Sequence, residues 1–144
     1  MQIQGRRNER IRIGVDIVGV ERVARLVREN EGIADTVFTA QEQEYCLTKR
    51  RCYEHMAARF AAKEAVFKAF GTGVGERMRW TDVEVVHGAK GRPRIALHAE
   101  VAAWADRRGL VDLDVTLAHS DGMAIAQALA VWAEPAAAEA SEGA

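Results

Sequence analysis

Three charged residues, Asp16, Glu64 and Lys68, are the side chains whose types and spacing could do chemistry. Glu64 lies in an alanine-rich stretch that predicts a largely buried helix, so its carboxylate should point into an apolar face. An ionised carboxylate removed from water needs a cation, a metal ion or a proton. Lys68, one turn further on, could form a buried ion pair with it. Alternatively, both side chains could bind a ligand that carries phosphates and a divalent cation.

The helix that positions Glu64 and Lys68 is predicted to begin near Glu54 and to end at Gly71. Glycine suits the left-handed residue that follows many helices. The apolar residues of this helix form one broad stripe, so most of the helix should be buried. The glycines of the turn 71–73 would also let the backbone approach a ligand closely.

Asp16 lies near the end of a predicted strand over residues 10–18, where apolar and other residues alternate. One face carries Ile11, Ile13, Val15 and Ile17, and the other carries Arg12, Gly14 and Asp16. This pattern predicts a half-buried strand whose branched aliphatic residues face the core. Asp16 would then lie on the open face, where an acid is often only solvated.

The remaining pattern predicts an α+β fold, in which an antiparallel sheet packs against helices. Helices are predicted over residues 20–29, after the capping box of Thr39 and Glu42, and over residues 99–108. One hairpin is expected around Gly88 to Gly91, and a second joins residues 113–120 to 123–132 across Asp121-Gly122. We expect a flexible extension at 1–10, a single domain at 11–132 and a disordered tail at 133–144.

Composition excludes several functional classes. The chain has 144 residues, a net charge of −1 and two cysteines without CxxC spacing, which favours a cytoplasmic protein with free thiols. No apolar run reaches membrane-spanning length. Arginines are concentrated in residues 1–30 and 49–51, but no aromatic ladder accompanies them, so nucleic acid is a poor fit as a partner. The four histidines lack zinc-ligand spacing.

Five segments together resemble holo-acyl-carrier-protein synthase, the small class of 4′-phosphopantetheinyl transferases. These segments are 14–16 (GVD), 38–42 (FTAQE), 59–73 (RFAAKEAVFKAFGTG), 91–93 (GRP) and 117–120 (LAHS). The resemblance runs in order from about Ile11 to Trp132. It implies the fold of that family and a Mg²⁺-dependent transfer of 4′-phosphopantetheine from coenzyme A to a serine of an acyl carrier protein, which releases adenosine 3′,5′-bisphosphate.

By position, the resemblance makes Asp16 and Glu64 the Mg²⁺ ligands and puts Lys68 beside the pyrophosphate. One Asp and one Glu suit Mg²⁺, which keeps waters and binds substrate phosphates. Glu64 or a metal-bound water could accept the serine proton, and the sequence does not choose between them. Further residues are implied to contact coenzyme A: Arg50 or Arg51 and Arg59 near the 3′-phosphate, with Gly71, Pro93 and His119 lining the cleft.

The resemblance also implies partners. Arg22 matches the position that docks the acidic carrier protein, and Arg25 and Arg28 could extend that patch. Relatives of this size are homotrimers with active sites between subunits, which we expect here. The alternative is a non-catalytic relative that binds coenzyme A or carrier protein, although such a protein would have little reason to keep Asp16, Glu64 and Lys68 together.

Overall fold

A computed structural model describes residues 9–75 and 77–134 of the chain. Most of the predicted N-terminal extension and C-terminal tail, residues 1–8 and 135–144, therefore lies outside the described residues. At the inner boundaries of these segments, Glu9 and Arg10 belong to the first strand and Ala133 to the last strand. The folded part is thus longer at both ends than the pattern predicted.

Five strands and five α-helices make up the described fold. The strands are β1 (Glu9–Gly19), β2 (Val83–His87), β3 (Pro93–Leu97), β4 (Leu110–Ser120) and β5 (Met123–Ala133). The helices are α1 (Val20–Glu29), α2 (Ile33–Val37), α3 (Ala40–Leu47), α4 (Cys52–Phe70) and α5 (Ala99–Arg107). The predicted α+β class is confirmed, and the structure adds the short helix α2, which was not among the predicted helices.

The strands form two antiparallel sheets rather than one. The larger sheet has the order β1-β5-β4, and β2 and β3 form a separate hairpin. Both predicted hairpins are confirmed. Asp121 and Gly122 have φ of 51° and 74°, the left-handed conformations that a tight two-residue hairpin turn requires. The capping box of Thr39 and Glu42 is also present at the start of α3.

Helix α4 packs across β1 and β5 at unusually close range because both strands present small residues to it. A Cβ atom built on Gly14 would lie 2.0 Å from the carbonyl oxygen of Ala65 and 2.7 Å from the amide nitrogen of Ala69. Four alanines of β5 face the same side and are fully buried: Ala124, Ala126, Ala128 and Ala130. The helix and the sheet therefore approach almost backbone to backbone.

The predicted orientation of β1 is wrong for the isolated chain. The side that packs under α4 carries Gly14, Asp16 and Val18. The four branched aliphatic residues lie on the other side and are 58–63% exposed: Ile11, Ile13, Val15 and Ile17. Ile125 and Leu129 of β5 are 38% and 40% exposed. Hydrophobic alternation correctly identified the strand. The side of the strand that α4 covers, however, is the one that leaves the helix enough space.

The Gly14 contact predicts a large loss of stability on substitution to alanine. The added methyl group would overlap backbone atoms of α4, which cannot move aside as a flexible side chain could, so we expect Gly14→Ala to cost about 3 kcal/mol or more. The free energy of unfolding from urea titration measures the change.

The matched control is Gly19→Ala in the same strand, where the nearest atom to the added Cβ lies 3.8 Å away. This variant should remain within about 1 kcal/mol of the wild type. Equal stabilities of the two variants would show that the α4 contact is not tight.

Candidate active site

The candidate active site is the place where α4 crosses β1 and brings Asp16, Glu64 and Lys68 together. The Lys68 ammonium donates to the Asp16 carboxylate at 3.1 Å and to the Val15 carbonyl oxygen at 3.0 Å. No ion pair joins Lys68 to Glu64 within the described part of the chain. The buried Glu64–Lys68 pair considered above is therefore absent, and Lys68 instead links α4 to β1.

The surroundings of Glu64 disfavour the ionised form of its carboxyl group. Its carboxyl is partly buried, and burial followed by the neighbouring Asp16 charge raises its pKa, while Lys68 lowers it. Asp16, which Lys68 binds, is thus one of the charges that raise the pKa of Glu64, and Lys68 offsets that effect only partly. Two adjacent acids with free oxygen atoms favour a cation between them.

The donor set fits Mg²⁺. Asp16 and Glu64 offer carboxylate oxygens only, and such hard ligands suit Mg²⁺, which binds one or two carboxylates and keeps open positions for waters and phosphates. Residues 9–75 and 77–134 contain no group of three or more His, Cys, Asp or Glu placed to hold a metal ion. Two carboxylates alone would leave coordination positions open for waters and substrate phosphates.

A fully buried ion pair beside the site was not predicted from the sequence. The Lys63 ammonium donates to the Glu42 carboxylate at 2.7 Å, and both side chains are 0% exposed. Lys63 also donates to the carbonyl oxygens of Trp80 and Val83, and Glu42 accepts from the amide of Val85. Burial lowers the pKa of Lys63, while Glu42 opposes that shift.

This network fixes α4 against α3 and β2 one residue before Glu64. Its only sequence signal was the capping box, because Glu42 also caps its own helix by accepting from the Thr39 amide. The other partners come from segments far apart in the sequence. Lys63 thus anchors α4 to α3 and β2 next to Glu64.

Arg59 lies in a second cluster, further toward the start of α4. Its guanidinium is almost fully buried, stacks 4.2 Å from the centre of the Tyr45 ring and donates to His87 Nε2 at 2.7 Å. His87 in turn donates from Nδ1 to the Gly91 carbonyl oxygen, and it pairs with Pro93 across the β2-β3 hairpin. Two predicted coenzyme A contacts, Arg59 and Pro93, are therefore connected through His87.

The other predicted contacts are divided between the two ends of α4. Arg51 and His119 both approach Glu54 at the start of the helix, at 3.6 and 3.9 Å. Arg50 is exposed in the turn before the helix. Gly71 lies beyond the other end with φ of 75°, as predicted for a helix C-terminus.

Comparisons with known proteins identify the family. The model of the 4′-phosphopantetheinyl transferase superfamily matches residues 12–128. The chain belongs to the 4′-phosphopantetheinyl transferase superfamily. It is 44% identical over 114 residues to the holo-[acyl-carrier-protein] synthase of Geobacter sulfurreducens, covering 78% of this chain and 90% of that protein. The resemblance drawn from the sequence is confirmed.

Solved structures of the superfamily have the same fold. The holo-[acyl-carrier-protein] synthase of Neisseria meningitidis has a TM-score of 0.76 and 27% identity, covering 83% of this chain and 96% of that one. The enzyme of Helicobacter pylori, solved in complex with coenzyme A, has a TM-score of 0.71 and 27% identity, covering 82% and 98% of the two chains. The α+β fold is thus that of 4′-phosphopantetheinyl transferases.

In this transferase, α1 presents arginines on the side away from the core. Arg22 and Arg25 are exposed and have no ion pair in the described structure, whereas Arg28 binds Glu21 at 2.8 Å and stacks on Tyr53. The amide of Val20 donates to the Gly122 carbonyl oxygen, which ties the start of α1 to the β4-β5 turn. Separately, none of the helices described here is both long and apolar enough to cross a membrane.

The buried Lys63–Glu42 pair predicts a strong effect of substitution on stability. Lys63→Met would leave the Glu42 carboxylate buried without its cation, and breaking one half of a buried pair costs about 3–5 kcal/mol. We expect that loss in the free energy of unfolding, measured by urea titration.

The control is Lys68→Met in the same helix. The Lys68 side chain is 53% exposed, so its ion pair should contribute no more than about 1 kcal/mol to stability. If the two substitutions cost the same, Lys63 does not anchor the helix.

Proposed function

We propose that this protein transfers 4′-phosphopantetheine from coenzyme A to a serine of an apo acyl carrier protein and releases adenosine 3′,5′-bisphosphate. One observation carries the proposal: Lys68 binds Asp16 where α4 crosses β1, and Glu64 lies one turn before Lys68 on the same helix. Two acids and one cation suit a substrate that brings phosphates and a divalent cation. The superfamily match and the similarity to holo-[acyl-carrier-protein] synthases support the same reaction.

Asp16 and Glu64 would hold Mg²⁺. When bound, this ion supplies charge neutralisation on the pyrophosphate of coenzyme A. Its presence would also relieve the repulsion that raises the pKa of Glu64. Lys63 and Gly14 contribute indirectly, because they keep α4 close enough to β1 for both acids to reach one ion.

Lys68 would act on the leaving group. In the reaction, the serine hydroxyl gives up its proton to Glu64 or a water, its oxygen forms a bond to the β-phosphorus, and the bond from that phosphorus to the bridging oxygen breaks. Charge then accumulates on the departing bisphosphate. The Lys68 ammonium, which is half exposed beside Asp16, can turn toward that charge and stabilise it.

Coenzyme A would lie along α4, with its 3′-phosphate toward the start of the helix. Arg50, Arg51 and Arg59 supply positive charge there, and Pro93 and His119 border the same region. Arg59 has one buried nitrogen, Nε, without a partner, so its hydrogen-bonding capacity is not exhausted by His87. A 3′-phosphate could accept from this guanidinium after a small rearrangement of the cluster.

The acidic acyl carrier protein would dock on α1. Arg22 and Arg25 are the free cations of this helix and can meet acidic side chains, whereas Arg28 is already partly neutralised by Glu21. The link from Val20 to the β4-β5 turn holds this docking helix at the end of β1, three residues after Asp16. We place the reaction in the cytoplasm, where the thiols of Cys46 and Cys52 would remain reduced.

The functional assembly would be a homotrimer with active sites between subunits. The exposed apolar face of the larger sheet supports self-association, because the four branched residues on this face of β1 are exposed to solvent in the isolated chain. Asp16 lies on the opposite side of the same strand. Because β1 is an edge strand, a partner chain packed on this face could also reach the acids from the open edge of the strand.

Intact-mass spectrometry of an apo acyl carrier protein tests the proposed reaction. With this protein, coenzyme A and Mg²⁺, we expect a gain of one phosphopantetheine arm, abolished by EDTA. Glu64→Gln removes one metal-binding charge, so transfer should fall by at least about 100-fold while the fold is retained. Mg²⁺ should raise the melting temperature of the wild type but not that of the variant.

Glu100→Gln on α5 is the matched control, because this exposed glutamate is not among the candidate site residues. It should retain both transfer and the Mg²⁺ response. Wild-type transfer by Glu64→Gln would refute the metal-site assignment. Binding of coenzyme A without transfer to any of several carriers would indicate a non-catalytic relative.

The proposed trimer predicts sensitivity of the open sheet face to charge. Ile13→Asp places a carboxylate in the centre of that face, where burial against another subunit would be costly. Light scattering after size exclusion should show a trimer of 15.8 kDa chains for the wild type and a monomer for the variant. The rate of transfer should also fall in this variant, because the proposed active sites lie between subunits.

Leu47→Asp controls for the loss of an exposed apolar side chain, since Leu47 of α3 is 70% exposed but lies outside the sheet face. It should leave the assembly unchanged. A wild-type monomer at micromolar concentration would contradict the trimer.

A further inference from the structure

A cleft beside Lys68 extends beyond the groups that the proposed reaction uses, and Lys68 and Gly71 lie on its border with them. It has a volume of about 160 Å³ and lies between the last turn of α4, the start of β1 and α5. Three aromatic residues line it, Phe70, Trp104 and Trp132, together with Arg10, Arg12 and Arg108. Lys68 is shared by this cleft and the candidate active site, so the two are continuous.

The aromatic residues form a rigid apolar wall. The ring centres of Phe70, Trp104 and Trp132 lie 5.3–5.6 Å from one another, so the three rings are in mutual contact. Trp132 and Phe70 are 4% and 8% exposed. This wall suits a short aliphatic group and resists collapse onto an empty space.

The rim of the cleft is positively charged. Arg10, Arg12 and Arg108 have no carboxylate partner within the described residues, and no acidic residue lines the cleft. The Arg108 guanidinium stacks over Trp104 at 5.4 Å, which places a cation directly at the apolar wall. A ligand with an apolar segment and a terminal anion matches this arrangement.

The distance from the metal-binding acids fits the far end of coenzyme A. Arg12 lies four residues before Asp16 on the same face of β1, which is about 13 Å along an extended strand. The pantetheine arm, an amide-linked chain, spans on the order of 15 Å when extended. An arm that starts at the acids and runs past Lys68 therefore brings its sulfur, and any acyl group on it, to the arginines.

We propose that this cleft binds the acyl end of acyl-coenzyme A and favours short acyl groups that end in a carboxylate. The inference rests on the proposed function. The cleft holds about five water-sized volumes of ~30 Å³, which suits a four-carbon chain with its carboxylate at the rim. The thioester stays intact: the same phosphorus–oxygen bond breaks, and the acyl group travels with the arm to the carrier serine.

A matched pair of substrates tests the inference. Succinyl- and butyryl-coenzyme A have acyl chains of equal carbon number but differ in a terminal carboxylate. Transfer to an apo acyl carrier protein is followed by intact mass, with unacylated coenzyme A measured alongside. For the wild type we expect kcat/KM to be roughly fivefold higher for the succinyl than for the butyryl substrate, as exposed ion pairs allow.

Arg12→Gln combined with Arg108→Gln should reduce that ratio to about one. Arg107→Gln is the control, because Arg107 neighbours Arg108 but does not line the cleft, and it should preserve the ratio. A wild-type ratio of one, or a ratio that the double variant leaves unchanged, would overturn the inference while transfer of the unacylated arm still supports the enzyme. Absence of transfer from unacylated coenzyme A would refute the proposed function itself.

Discussion

The close packing of α4 on β1 is the constraint on which the rest of the structure depends. Gly14 leaves no side chain between the two backbones, and the alanines of β5 continue the flat surface on which the helix lies. Asp16 and Glu64 come from segments 48 positions apart, so only this packing makes them neighbours. The candidate active site therefore depends on the short distance between α4 and the sheet as much as on the three charged residues themselves.

Burial of Lys63 and Glu42 complements that packing by fixing how α4 is rotated and how far it slides. The sheet contact is smooth, since glycine and alanine offer few ridges, and a smooth contact alone would specify the helix position poorly. The buried ion pair supplies polar contacts that are satisfied in one arrangement only. A buried ion pair adds little net stability over a well-packed apolar pair, but losing one partner is costly, so this pair favours the arrangement of α4 that keeps it intact.

The sequence allowed prediction of elements whose causes are local. The capping box at Thr39, the Asp121-Gly122 turn and the glycine after α4 each depend on neighbours in the chain, and all three are present. The orientation of β1 could not be read in this way, because alternation is the same whichever face is covered. The Lys63–Glu42 pair likewise joins residues 21 positions apart. Helix periodicity predicted that most of α4 is buried, but it did not indicate what would neutralise Lys63 and Arg59.

The bond from Lys68 to the Val15 carbonyl has a consequence for solubility. β1 has a neighbour on one side only, so its other edge offers backbone groups to any passing strand. Its outward side chains are branched and apolar, a composition that favours unwanted strand pairing. By binding a carbonyl on this strand, Lys68 removes one acceptor from the open edge of the sheet. Loss of its cation would return a free backbone acceptor to that edge.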